Sequence, residues 1–244
     1  MPASRSRGIR YEFGIFRQSI DADGQHESTD AWLVQGNPWE VIRPEWSYPV
    51  RIGEHTVLGV AHDTPIIGYG VRTANTLRLW SAMAPEAFDF ASFNAGDYTR
   101  AVLAKVQSEN LSKVLYPNDE FEQGKRLRLS QQIFFVSCSL QDMLRILKKQ
   151  GLAVTDFHRK FAVQLNDTHP AIAVAELMRL LIDEEGLDWE TAWSITTSSI
   201  SYTNHTLLPE ALETWGVDLF EKLLPRQLQI IYEINARFLR MVRI

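Results

Sequence analysis

The chain has 244 residues with a formal net charge of −5, 45% hydrophobic, 11% aromatic and 23% charged residues. At roughly 150 residues per domain this allows one or two domains. The composition is that of a globular protein and excludes collagen, low complexity and disorder. The acidic balance argues against a nucleic-acid partner gripped by bulk positive charge. A single cysteine, Cys138, excludes an intramolecular disulfide and any zinc site needing two thiolates, and points to a reducing, cytoplasmic setting.

In chain order, the first part reads as strand-rich and the rest as alternating helix and strand, with the division at residues 8–94 and 95–244. Ile9 to Phe16 is β-prone, and Asp21-Ala22-Asp23-Gly24 is a turn. Gly36-Asn37-Pro38-Trp39 is a second turn, with Pro44 and Pro49 soon after. Val57 to Ala61 reads as a short strand closed by Asp63-Thr64-Pro65 and the Gly68-Tyr69-Gly70 bend. Thr73 to Ala82 reads as another. Trp32, Trp39, Trp46 and Trp80 fall in this part and are assigned mainly to packing.

Helical spacing begins at Asp97, a candidate N-cap, and runs to Glu109. Gly124 to Gln150 is a long helix with apolar Leu127, Leu129, Ile133, Phe134, Leu140, Leu144 and Leu147, stopped by Gly151. Phe161 to Leu165 is a short strand ending in Asn166-Asp167-Thr168-His169-Pro170, and Pro170 opens a helix. Asp188 caps the next helix. Ile200-Ser201-Tyr202 leads into Thr203-Asn204-His205-Thr206, with helices opened by Pro209 and Pro225. No run approaches the ~18 apolar residues of a membrane span. The last helix lacks a stop signal and the first strand starts abruptly, so the sequence reads as part of something larger.

Two loops share a design: Asn166–Pro170 and Asn204–Pro209 each follow a short strand, carry Asn and His, and precede a helix. In open α/β sheets such loops converge on ligands at the strands' carboxyl ends, where loop amides and helix N-termini supply positive potential. The residue types leave plainer readings open: Asp167 and Thr168 as helix caps, and His205 as a satisfied core histidine. Asp167, His169 and His205 could also be written as a metal set, although no His-Glu-x-x-His pattern supports one. The acidic loop Tyr116-Pro117-Asn118-Asp119-Glu120-Phe121-Glu122-Gln123-Gly124 is either a gate or a solvated turn. No phosphate-binding glycine motif and no Gly-x-Ser-x-Gly elbow is present.

Taken in order, Gly8–Gly14, Gly36–Glu40, Asn75–Trp80, Val114–Asp119, Gln164–Pro170, Tyr202–Thr206, Leu208–Glu213 and Leu224-Pro225-Arg226 through Asn235 resemble the α-glucan (glycogen, maltodextrin and starch) phosphorylases. The resemblance implies an interior fragment of the N-terminal domain of two Rossmann-like, glycosyltransferase-B-type domains, an α/β fold with a β-rich first third. It implies phosphorolysis: orthophosphate releases terminal α-1,4-glucosyl units of a glucan as α-glucose 1-phosphate, with configuration retained.

The family cofactor is pyridoxal 5′-phosphate, acting through its phosphate. Its lysine and the phosphate-binding residues belong to the C-terminal domain, so this chain alone is expected to be inactive. The resemblance also suggests a homodimer. Carried over by position, Asn118-Asp119 resembles the gate loop, with Asp119 ordering the glucosyl site. Glu120 departs from the Asn common in relatives and adds a carboxylate beside the phosphate route. His205 resembles the histidine whose backbone carbonyl faces the anomeric carbon, where a dipole stabilises an oxocarbenium-like transition state. Asp167 and His169 resemble residues lining the glucan side. Asn118, Asn204 and Thr206 complete the substrate-binding set, with no metal called for. The alternatives are a non-catalytic carbohydrate-binding or subunit-interaction remnant, and a nucleotide-sugar glycosyltransferase.

Overall fold

The structure is a computed structural model that describes residues 16–29, 37–85, 93–113, 117, 119–205, 207–208 and 212–242. It is mixed α/β. The chain forms two compact units, one of Met1–Pro49 with Thr56–Arg128 and one of Val50–His55 with Leu129–Ile244.

In the first unit, β1 (Phe16–Asp21) and β2 (Gly24–Thr29) form a hairpin. Its turn is the expected one: Asp23 donates its N–H to the Asp21 carboxylate at 2.9 Å, and Gly24 takes a positive φ of 132°. Residues Ile9 to Ile15, read above as β-prone, lie outside the described residues, as does Trp32. A three-stranded sheet follows in the order β3-β4-β5, with β3 Val41–Ile52, β4 His55–Ile67 and β5 Ala74–Met83.

Two expectations are corrected here. Pro44 and Pro49 do not break the chain into irregular structure but lie within the twelve-residue strand β3. β3 is an edge strand, where a missing N–H costs little. Asp63-Thr64-Pro65 does not close the second strand either, because β4 continues to Ile67.

Asp63 is buried and stands opposite Arg78 on β5. Arg78 grips both carboxylate oxygens, at 2.7 and 2.8 Å, and Arg43 of β3 reaches Oδ2 at 3.3 Å. Burial works to raise the Asp63 carboxyl, but the hydrogen bonds and charges of Arg78 and Arg43 outweigh it and hold it below the ordinary carboxylate range. The Arg43 and Arg78 guanidinium groups also lie over Trp46, 5.1 and 4.5 Å from the ring centroid respectively. Beside them His62 Nδ1 donates to buried Glu40 at 2.8 Å. Trp80 is buried edge-on to Tyr48, whereas Trp39 is exposed. Helix α1 (Tyr98–Asn110) packs on β5, and the Ala82 N–H donates to Ser112 Oγ at 2.9 Å.

The second unit is built on α2 (Glu122–Lys149), most of whose length belongs to it. Leu129, Ile133, Val136, Leu140, Leu144 and Leu147 recur every three or four residues and are all buried. The helix ends as expected at Gly151, whose φ is +71°. The Gly151 N–H bonds the Lys148 carbonyl and the Leu152 N–H bonds that of Leu147, a Schellman cap.

A 3₁₀ turn (Val154–Asp156) and the short helix α3 (Phe157–Lys160) lead into β6 (Val163–Asn166). Next come α4 (Ala173–Arg179), a π turn (Leu180–Glu184), α5 (Trp189–Ser199) and β7 (Ile200–Thr203). Asp188 caps α5 as expected, accepting from the Thr191 N–H at 3.0 Å. Helices α6 (Val217–Leu223) and α7 (Pro225–Val242) complete the described chain. Pro209 lies outside the described residues, and the next described helix begins at Val217.

The core joins Leu140, Leu144, Phe157, Leu165, Leu177 and Ile230 from five of these elements. Glu176 is buried within it, accepting from Ser137, Arg179 and Gln227 at 2.7–2.9 Å. The buried Cys138 thiol is pushed up by burial and kept from reacting as a thiolate. No described helix is long and apolar enough to cross a membrane.

Two outcomes follow. The Asp63 contribution is complete above about pH 4 and is lost as pH falls through its lowered folded value. Asp63→Asn therefore lowers the unfolding free energy by about 3–5 kcal/mol at neutral pH, and the deficit shrinks toward about pH 3. Denaturant unfolding at a series of pH values measures this, and an equal deficit throughout contradicts it. At the β3–β4 turn, Gly53 has φ +60°, donates its N–H to the Leu223 carbonyl at 2.8 Å, and would bring a Cβ within 3.2 Å of the Lys222 carbonyl. Gly53→Ala costs about 1–2 kcal/mol, read as a lower Tm.

Candidate functional site

β6 and β7 are four residues each and pair in parallel, from Val163 opposite Ile200 to Asn166 opposite Thr203. Parallel strands require a crossover, supplied here by α4, the π turn and α5. Only Leu165 of β6 is fully buried, which anchors the strand in the core while Gln164 and Asn166 stay exposed. Both strands therefore deliver their following loops to one carboxyl edge.

At that edge the ladder runs one residue further. The Asp167 N–H donates to the Thr203 carbonyl at 2.8 Å, and Gln164 Nε2 donates to Thr203 Oγ1 at 2.7 Å. Asp167 then leaves the strand with φ +66°, the one described non-glycine residue in the left-handed region. Asp tolerates this region because its short carboxylate bonds locally, here accepting the Thr168 N–H at 2.8 Å. The exposed His205 ring donates from Nε2 to the Asn166 side-chain oxygen across the two loops. Asn204 is exposed beside it.

The turn continues through hydrogen bonds from the Ala171 N–H to the Thr168 carbonyl and from the Ala173 N–H to the Pro170 carbonyl. Pro170 thus sits in a tight turn, and the helix starts at Ala173 rather than at the proline. His169 is half-buried on this turn, with Nδ1 3.3 Å from Glu213 Oε1. Glu213 is itself nearly buried, and Gln132 of α2 donates to its other oxygen at 2.6 Å.

The capping reading is corrected: the N-cap of α4 is Ile172, which makes no side-chain cap, and Asp167 spends its carboxylate on the adjacent Thr168 amide. The core-histidine reading is corrected too, since His205 is exposed. Among the described residues no group of three or more His, Cys, Asp or Glu side chains could hold a metal ion.

Asp167, His169, Asn204 and His205 thus lie on one strand-end edge of the second unit. Asp119 belongs to the first unit, where its half-exposed carboxylate accepts from Arg128 at 3.0 Å. Asn118 and Thr206 lie outside the described residues. Asn166, the asparagine of the first Asn/His loop, joins the site, and Gln164, Glu213 and Gln132 join it without having been singled out from sequence. The exposed positions of the β6 strand were a usable signal for Gln164. Glu213 and Gln132 are too far along the chain from His169 for any spacing rule to connect them.

Such an edge can hydrogen-bond a polyhydroxylated ligand, with carboxylate, imidazole and amide groups fixed by backbone. The carbohydrate phosphorylase family profile matches residues 2–244. A glycogen phosphorylase of Synechocystis sp. is 58% identical over 97% of this chain, which covers 30% of that protein. The muscle form of glycogen phosphorylase from Ovis aries is 51% identical over 98% of the chain and 31% of its own length. The brain form from Rattus norvegicus is 51% identical over 97% and 31%. The chain belongs to the carbohydrate phosphorylase family, and it spans about 30% of the length of the curated relatives it matches.

The positive φ makes a specific prediction. Asp167→Asn keeps a residue that tolerates φ +66° and stays within about 0.5 kcal/mol of the wild type. Asp167→Ala loses about 1–2 kcal/mol. Equal losses in thermal unfolding contradict the assignment.

Proposed function

We propose that this chain is an interior part of the N-terminal domain of an α-glucan phosphorylase and supplies the glucan-facing half of its cleft. The whole protein would cleave terminal α-1,4-glucosyl units with orthophosphate, giving α-glucose 1-phosphate, as a cytoplasmic homodimer. The observation that carries this reading is the convergence of Asp167, His169 and His205 at the carboxyl edge of β6 and β7. The names of its relatives, glycogen phosphorylases, support the reaction.

In this role Asp167 and His169 accept and donate hydrogen bonds to sugar hydroxyls and fix the glucosyl ring. Asn204 and Thr206 are assigned further contacts to the glucan, and Asn118 and Asp119 of the acidic loop are assigned to substrate binding by the resemblance alone. His205 contributes its ring to a hydroxyl and its backbone carbonyl to the anomeric carbon. A carbonyl dipole there favours positive charge as it develops in the transition state. None of these groups attacks carbon; they orient and polarise, and orthophosphate is the nucleophile.

Pyridoxal 5′-phosphate, the family cofactor, would supply acid–base chemistry through its phosphate. The residues described here do not fit it. Every lysine is exposed, and Lys148, Lys105 and Lys113 are paired with glutamates. We assign the cofactor's lysine to sequence that this chain does not contain. The same observation favours a second reading, a carbohydrate-binding piece without turnover.

Phosphorolysis of maltoheptaose tests both. The purified chain, given orthophosphate and pyridoxal phosphate, is expected to release no glucose 1-phosphate. Adding separately expressed polypeptides that cover the rest of the relatives' length restores release. His205→Ala in the restored enzyme, which keeps the backbone carbonyl but removes the ring's hydrogen bond to a hydroxyl, lowers kcat/KM by about tenfold. Product from the chain alone overturns the placement of the phosphate chemistry. Binding of maltoheptaose without restored turnover favours the second reading.

A further inference from the structure

We propose that Glu213 is a positioning residue that holds the His169 ring with its proton on Nδ1, making Nε2 the ring's acceptor for a sugar hydroxyl. This rests on the glucan-cleft reading above.

The geometry starts from what each group can do. An ionised carboxylate only accepts hydrogen bonds, whereas a neutral imidazole donates from one nitrogen and accepts at the other. Glu213 Oε1 lies 3.3 Å from His169 Nδ1, so Nδ1 must carry the proton that the contact uses. The ring's other nitrogen is then the acceptor.

Glu213 is fitted for this task. Its side chain is 9% exposed, so its direction is set by packing rather than by solvent. Gln132 Nε2 donates to Oε2 at 2.6 Å, which fixes one carboxylate oxygen and leaves the other turned to the histidine. Gln132 stands on the long, well-packed helix α2. A rigid helix thus orients a carboxylate, the carboxylate orients an imidazole, and the imidazole lies at the strand-end edge, 33% exposed. Fixing the tautomer matters because a site preset to accept a hydroxyl proton avoids the cost of reorganising on binding.

The test uses the 15N-labelled 244-residue chain. Long-range proton–nitrogen correlation at about pH 8, above the ordinary histidine range, reports which ring nitrogen is protonated. The His169 signals are assigned by their loss in His169→Gln. The expected result in the wild type is a protonated Nδ1 and an unprotonated Nε2. Glu213→Ala shifts the proton to Nε2, whereas Glu213→Gln, whose amide oxygen still accepts, retains it on Nδ1.

A wild-type ring protonated on Nε2 overturns the proposal without any variant, so a misfolded Glu213→Ala does not shelter it. An unchanged tautomer in a folded Glu213→Ala overturns it as well. Maltoheptaose is then added. The wild-type Nε2 resonance moves, and Glu213→Ala binds about tenfold more weakly, the loss of one hydrogen bond. If the amides at 166–169 and 203–205 respond but Nε2 does not, this proposal fails. If none of them responds, the glucan-cleft reading itself fails, whatever the tautomer.

Discussion

The hydrogen bond from the Asp167 N–H to the Thr203 carbonyl is the constraint on which the candidate site depends. It closes the carboxyl end of a parallel pair only four residues long, and everything functional departs from that point. Asp167 turns left-handed immediately beyond it, which sends His169 onto a tight turn. Thr203 stands one residue before Asn204 and two before His205. Two loops that are nearly forty residues apart in sequence therefore leave the sheet side by side. The crossover through α4 and α5 makes this possible, because a parallel pair cannot be joined by a short turn.

The protein also handles buried charge in a consistent way. Asp63, Glu176 and Glu213 are three nearly buried carboxylates, and each is met by donors, most of them held on neighbouring elements. Asp63 has two arginines, and Glu176 has Arg179, Ser137 and Gln227. Glu213 has Gln132 and His169. Among the described residues no buried side-chain nitrogen or oxygen lacks a partner. Such pairs add little net stability over an apolar core, but losing one partner is costly. They act as register pins: Asp63 aligns β4 with β5, Glu176 ties α2, α4 and α7 together, and Glu213 sets a histidine at the strand-end edge.

Local signals were readable from sequence because their physics is local. Gly151 ends α2, Asp188 caps α5, and Asp21 to Gly24 turns a hairpin, each through bonds within a few residues. The two Asn/His loops were likewise visible, since a short strand followed by polar loop and helix is a one-dimensional pattern. What escaped depends on neighbours far away in sequence. Pro44 and Pro49 are tolerated because β3 is an edge strand, and edge status is a property of the sheet. Asp63 looked like a strand breaker because its partners, Arg43 and Arg78, are each fifteen or more residues away. The Glu213–His169 contact spans 44 residues. Pro170 was read as a helix start, but the left-handed Asp167 and the turn after it delay α4 to Ala173. The family resemblance, by contrast, rested on ordered motifs and needed no tertiary contact, and the family match over residues 2–244 agrees with it.

The central claim is that the carboxyl ends of β6 and β7 form a single glucan-contacting edge. Hydrogen exchange of the chain with and without a saturating maltooligosaccharide tests it most directly. The account predicts joint slowing in the peptides covering residues 163–169 and 200–205, with the β3-β4-β5 sheet unchanged. Slowing confined to that sheet, or to only one of the two loops, would contradict it.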